Sequence, residues 1–205
     1  MSGHTPEGSP GSPAIARIVI TGFMGAGKTT VGALLAQRLG WEFADSDFLV
    51  ERRAGKTIAA IFATEGESAF RDLEAAAIKE LVTATRRIVA LGGGALERPQ
   101  TRSLLASLPD ALIVFLDAPL EMLVARCSGQ AGAPVRPILA DRARLEERWS
   151  ARLPWYRQAH LTVNTAEGSP ESVVERILDE LRNRRPGLID DTAAAAAAPT
   201  TEVSA

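Results

Sequence analysis

Two rhythms of hydrophobic residues alternate along the chain. Short β-branched or apolar runs at 16–21, 87–91, 111–116 and 161–163, with a weaker one at 41–44, are separated by longer stretches where apolar residues recur every three or four positions. The runs predict five strands, and the stretches predict helices. Leu112-Ile113-Val114-Phe115-Leu116 is apolar without a break, as expected of a strand covered on both faces, so the pattern predicts an α/β fold with a parallel sheet between helices. Two helices are marked at their ends. The segment 28–39 carries Val31, Leu34, Leu35 and Leu39 and stops at Gly40, a residue suited to the left-handed position after a helix. Ser169-Pro170 offers an N-cap and a first-turn proline to a segment with Val173, Val174, Ile177, Leu178 and Leu181 on one side.

Length and charge narrow the possibilities. The chain has 205 residues, and its ends lack this periodicity: 1–15 is rich in Gly, Pro, Ser and Thr, and 184–205 holds six consecutive alanines. Both are expected to be disordered, which leaves one domain at 16–183. A formal net charge of −2 provides no global field for polyanions, so neither nucleic acid nor an anionic membrane surface is an expected partner. No run approaches the roughly 18 apolar residues of a membrane span. One cysteine and two histidines are too few for a structural zinc site, and the lone Cys127 fits a reducing compartment. Lys28, Lys56 and Lys79 are the three lysines, and the other basic residues are all arginine, the residue suited to bidentate recognition of phosphate and carboxylate.

Chemistry first becomes specific between the first strand and the first helix. Gly22-Phe23-Met24-Gly25-Ala26-Gly27-Lys28-Thr29 spells G-x-x-x-x-G-K-[ST] without departure. A loop entering a helix there aims backbone N–H groups and the positive end of the helix dipole at one point, and glycines let a phosphate chain reach the backbone. Lys28 is placed to reach the β- and γ-phosphates of a nucleotide, and Thr29 to ligate Mg²⁺. The chain has no Asn-Lys pair, which excludes the base-reading motif of GTPases. A small phosphotransferase remains.

Three other features fall at expected strand ends or near them. Asp45-Ser46-Asp47 follows the weak second strand and reads either as a pair of site carboxylates, pointing apart if the backbone is extended, or as the cap of the next helix. Gly92-Gly93-Gly94 follows the third strand, where it would expose N–H groups to a ligand or simply form a turn. Among the arginines, Arg71 has Glu74 three residues further along a helix, Arg152 follows a charged helix, and Arg136 lies in the glycine-rich 129–137 segment expected to be a mobile loop.

Taken together, these residues resemble the shikimate kinase family over about 18–181. The resemblance rests on the loop at 22–30, Asp45-Ser46-Asp47, Gly66-Glu67-Ser68-Ala69-Phe70-Arg71-Asp72-Leu73-Glu74, Leu91-Gly92-Gly93-Gly94, Val135-Arg136-Pro137-Ile138-Leu139 and Arg152-Leu153-Pro154-Trp155-Tyr156. It implies a P-loop, nucleoside-monophosphate-kinase-like three-layer fold with a five-stranded parallel sheet, helices on both faces and a mobile lid at about 128–140. It also implies transfer of the ATP γ-phosphoryl to the 3-hydroxyl of shikimate, in the cytoplasm, by a monomer serving aromatic amino acid biosynthesis.

Residue by residue, the resemblance gives Gly25, Ala26, Gly27, Lys28, Thr29 and Thr30 to ATP, with Arg126 and Pro170 near adenine. Thr29 and Asp45 would serve Mg²⁺. Asp47 would bind the acceptor hydroxyls and act as base, Arg71 and Arg152 would clamp the shikimate carboxylate with Glu74 orienting Arg71, and Gly93 and Gly94 would supply backbone contacts. Arg136 would arrive with the lid and neutralise charge on the transferring group. The segment 128–134 is longer than is usual in that family. Finally, 111–117 spells an apolar strand plus aspartate, but with Asp45 in the metal role Asp117 is expected to be structural and to cap the helix from Pro119.

Overall fold

The computed structural model describes residues 15–128 and 141–184. The expected leader at 1–15, save its last residue, the expected lid at about 128–140 with Arg136, save Ser128, and the tail beyond 184 lie outside the described residues. Five strands are present: β1 (Arg17–Thr21), β2 (Glu42–Asp45), β3 (Arg87–Ala90), β4 (Ala111–Asp117) and β5 (Leu161–Asn164). All pair in parallel in the order β2-β3-β1-β4-β5. Each expected strand is found within one or two residues of its place.

Burial follows position in the sheet. Central β1 is buried along its whole length, whereas edge strand β5 alternates buried and exposed residues and β2 has no fully buried residue. A strand buried on both faces requires helices above and below it, which is why β1 and β4 read as unbroken apolar runs. Those layers come from α1 (Lys28–Leu39), α2 (Ser46–Ala54), α3 (Ile58–Thr64), α4 (Gly66–Leu81), α5 (Pro99–Ala106), α6 (Leu120–Ser128), α7 (Arg142–Tyr156) and α8 (Pro170–Arg184). Helix α1 packs on α8, β2 and β3, and α4 packs on α2, α3 and α5.

The end signals act as expected. Gly40 takes φ 62° after α1, and the Trp41 N–H bonds the Ala36 carbonyl at 2.9 Å, closing the last turn. Before α8, Ser169 Oγ accepts from Ser172 N–H. Asp117 departs from expectation. Its carbonyl oxygen accepts from Thr165 N–H at 2.7 Å, while the Pro119 carbonyl takes the first bonds of α6, so its carboxylate is not the cap. The physical reason is distance along the chain: two further residues, Ala118 and Pro119, separate Asp117 from Leu120, and the carbonyl before the helix is already in place.

Because every strand runs the same way, all five C-terminal ends open on one edge of the sheet. At the opposite end Arg17 closes the sheet, donating to the Val82 carbonyl at 2.6 Å and to Asp110 Oδ2 at 2.9 Å. Ile20 in β1 has no exposed surface. Ile20→Ala is expected to cost about 2–5 kcal/mol through lost burial and the cavity left behind. Urea unfolding checks this: the midpoint falls while the m-value stays unchanged.

Candidate active site

The first element at the functional edge is the loop between β1 and α1. Gly25 has φ 77°, and a Cβ there would stand 2.3 Å from the Leu123 carbonyl oxygen and 3.0 Å from Cys127 Sγ, so α6 leaves room for glycine only. Gly27 precedes α1 with φ 87°, and the loop N–H groups open onto a cleft of about 1400 Å³. Lys28 Nζ donates to the carbonyls of Gly22 and Phe23 at 2.9 and 3.0 Å. The lysine is thereby folded over the loop it serves.

Asp45 ends β2, caps α2 and also turns an oxygen toward the phosphate-binding loop. Its Oδ1 accepts from Asp47 N–H at 2.9 Å as the cap of α2, while Oδ2 accepts from Thr29 Oγ1 at 2.9 Å across the cleft. The extended spacing that would point the two carboxylates apart is not what forms. Helix α2 begins at Ser46, so Asp47 lies in its first turn and its direction is set by the helix.

Ser46 is a residue whose role the motif did not reveal. Wholly buried, its Oγ accepts from Gly92 N–H at 2.9 Å and ties the end of β2 to the end of β3. A Cβ on Gly92 would lie 2.4 Å from Asp47 Oδ1 and 2.5 Å from Glu74 Oε1. These two oxygens are buried and have no hydrogen-bond partner among the described residues. Burial, then the charges of Asp45 and Glu74, push the Asp47 carboxyl up to about 6, against the pull of Lys28 and Arg71. Burial also raises Glu74, although Arg71 opposes it.

Arg71 and Arg152 complete the wall. From α4, Arg71 donates through Nη1 to Glu74 Oε2 at 2.8 Å and through Nη2 to Glu67 Oε1 at 3.2 Å, the i,i+3 and i,i+4 partners that a helix makes available. Arg152 is only 7% exposed and lies inside α7, not after it, because the helix continues through Pro154 to Tyr156. Its Nη1 stands 3.6 Å from where a Gly93 Cβ would be, and Arg71 Nη2 stands 2.4 Å from the corresponding point on Gly94. Both guanidinium groups therefore lie over the glycine run. Tyr156, one helical turn after Arg152, donates its hydroxyl to the Gly93 carbonyl, and burial raises its pKa.

At the other end of the cleft, Arg126 from α6 bonds Thr165 through Oγ1 and the carbonyl, and Pro170 opens α8 beside it. Gly25, Ala26, Gly27, Lys28, Thr29, Thr30, Asp45, Asp47, Gly93, Arg126, Arg152 and Pro170 line one cleft. Arg71, Glu74 and Gly94 adjoin it through the contacts above, and Asp117 is not among the lining residues. Arg136 lies outside the described residues. Sequence reasoning passed over Ser46, Glu97 and Tyr156. A usable signal existed for Tyr156 in its i+4 spacing from Arg152, whereas Ser46 was hidden as the middle letter of a motif read for its carboxylates.

A phosphate-binding loop facing a carboxylate across a floor of glycines suits transfer of a phosphoryl group between two small molecules, and the fold and site together define a P-loop phosphotransferase. The shikimate kinase profile matches residues 24–182, and the chain belongs to the shikimate kinase family. It is 44% identical over 167 residues to the shikimate kinase of Thermobifida fusca, covering 80% of this chain and 93% of that one. With the shikimate kinase of Symbiobacterium thermophilum identity is 42% over 171 residues, covering 82% and 97%. Among solved structures, the shikimate kinase of Acinetobacter baumannii in complex with shikimate is 35% identical and superposes with a TM-score of 0.77, covering 84% of this chain and 96% of that one. A gluconokinase from Sinorhizobium meliloti shares the fold alone, at 20% identity and a TM-score of 0.55.

The three glycines make separable predictions. Gly92→Ala drives a methyl into Asp47 and Glu74 and is expected to lower kcat/KM for phosphoryl transfer to shikimate about a hundredfold. Gly93→Ala meets nothing closer than 3.6 Å, so its thermal midpoint is expected to match the parent while KM for the acceptor rises. Parent-like kinetics in Gly92→Ala would show that the two carboxylates have room to retreat.

Proposed function

We propose that the chain transfers the γ-phosphoryl of ATP to the 3-hydroxyl of shikimate, yielding shikimate 3-phosphate and ADP. The observation that carries this reading is the placement of Asp47, a half-buried carboxylate whose buried Oδ1 has no partner among the described residues, between the Thr29–Asp45 pair and the two arginines over the glycine run. Donor chemistry belongs to one side of it and a carboxylate-bearing acceptor to the other.

The roles follow from the contacts. Lys28 and the N–H groups of 25–30 hold the phosphates, Lys28 exchanging loop carbonyls for phosphate oxygens. Arg126 and Pro170 border the adenine. Arg71 and Arg152 take the acceptor carboxylate, Glu74 holds Arg71 in place, and Gly93 and Gly94 meet the ring hydroxyls. Asp47 accepts the proton of the attacking hydroxyl. At pH 7 a carboxyl titrating at about 6 is mostly ionised yet close enough to the ambient pH to take a proton efficiently. Arg136 adds positive charge at the phosphoryl group.

Thr29 and Asp45 suit a magnesium ion. They offer two hard oxygens at the mouth of the cleft, where the ion would be held largely by phosphates and water. When bound, the ion neutralises charge on the β- and γ-phosphates. The catalytic unit is assigned to 16–183, acting as a cytoplasmic monomer on ATP and shikimate without nucleic acid or membrane. Among the described residues no helix is long and apolar enough to cross a membrane.

A coupled ADP-release assay with Mg·ATP tests the reading: shikimate stimulates release, gluconate does not, and silence with shikimate overturns it. Asp47→Asn is expected to reduce kcat about 10²–10⁴-fold. In the parent, activity rises with pH through about 6 and then stays level, because the base must be ionised. Stability moves oppositely. With the folded pKa above the ordinary 3.8, ionising Asp47 costs the fold nothing below that value and its full amount above about 6. Asp47→Asn is therefore expected to gain about 1–2 kcal/mol at pH 8 and nothing at pH 3.5, measured by denaturant unfolding at both pH values.

A further inference from the structure

Glu97 ends a short 3-10 turn (Ala95–Glu97) directly after the glycine run. Its two carboxylate oxygens are divided between two arginines: Oε1 accepts from Arg152 Nε at 2.7 Å, and Oε2 accepts from Arg71 Nη2 at 3.4 Å. Among the described residues it is the one side chain ion-paired to both, and the one carboxylate ion-paired to Arg152. Arg71 and Arg152 come from α4 and α7, and both helices pack on this turn. Their guanidinium groups are therefore held relative to each other through Glu97.

Which edge of Arg152 is used matters. Glu97 takes Nε, so the Nη edge, which also meets the Tyr156 hydroxyl, faces the cleft with Nη1 over Gly93. The turn itself is anchored without the Glu97 side chain. Glu97 N–H donates to the Gly94 carbonyl at 3.0 Å, and the carbonyls of Leu96 and Glu97 accept from Arg102 Nη1 at 2.6 and 2.8 Å. The Arg102 guanidinium in turn stacks 3.7 Å above the ring of Trp155.

We propose that Glu97 is a positioning residue for the acceptor carboxylate: by spanning Arg71 and Arg152 it sets the separation and aim of the clamp without touching the acceptor. This rests on the assignment of the two arginines to the shikimate carboxylate. Two opposing effects decide its sign. The Glu97 charge repels an incoming anion, but its side chain is 37% exposed and water screens that repulsion. Ordering two long side chains, one of them buried, is not screened and weighs against binding whenever Glu97 is absent. Positioning outweighs repulsion.

The test compares the parent with Glu97→Ala and Glu97→Gln, using shikimate and an analogue whose carboxylate is replaced by a neutral hydroxymethyl group. For shikimate, Glu97→Ala is expected to raise KM, and Kd by calorimetry without nucleotide, about tenfold, with kcat within about twofold. Glu97→Gln, which keeps an acceptor for Arg152 Nε, raises them about threefold. KM for the neutral analogue stays unchanged in both variants. A fall in KM or Kd would make Glu97 a competitor of the substrate, an equal rise for both acceptors would make its role purely structural, and no change would remove the coupling. Any of these overturns the proposal. Absence of turnover in the parent with shikimate would instead overturn the assignment of function, so the two failures are distinguishable.

Discussion

A single buried hydrogen bond, from Gly92 N–H to Ser46 Oγ, joins the ends of β2 and β3 and brings the acidic and glycine-rich segments of the site into register. Asp47 follows Ser46 at the start of α2, and its Oδ1 lies against the missing side chain of Gly92. Glu74 reaches the same spot from α4. Two carboxylates share this region because Arg71 and Lys28 offset part of their repulsion; burial first, and then the remaining repulsion from Asp45 and Glu74, raises the pKa of Asp47.

Around that centre the site is built from paired opposites. Asp45 divides its oxygens between a helix cap and the Thr29 hydroxyl. Arg71 has Glu67, Glu74 and Glu97 around it, Arg152 has Glu97, and Tyr156 ties α7 to the Gly93 carbonyl. Each guanidinium is oriented by these contacts, so an acceptor held by the two arginines, as proposed, would not spend binding energy on ordering them. The cost falls on the fold, which buries charge at Arg152 and Glu74 that an apolar core would avoid.

Much of this was legible from residue order. The strand positions, the ends of α1 and α8, and the phosphate-binding loop are local signals, each written in a few consecutive residues. Arg71 with Glu74 is nearly as local, since helical spacing alone brings the two together. Asp117 shows the limit even there: the residue is at the end of β4 as read, but its carbonyl oxygen rather than its carboxylate does the bonding. Arg152 is marked by its motif, but it lies inside α7 and not after a helix, because α7 runs on through Pro154 to Tyr156.

By itself, the sequence determined the phosphate-binding loop, the Asp45–Asp47 segment and the glycine run, and that they gather at one edge, since a sheet of parallel strands has all its C-terminal ends on one side. Only the tertiary structure decided how those groups address one another. Ser46 meets Gly92, Glu97 spans Arg71 and Arg152, and Asp47 faces Glu74, all across separations of 26 to 55 residues in the chain. Nothing in a local pattern encodes such pairings. They exist because packing α4 and α7 on the turn after β3 leaves buried polar atoms that must find partners from other elements.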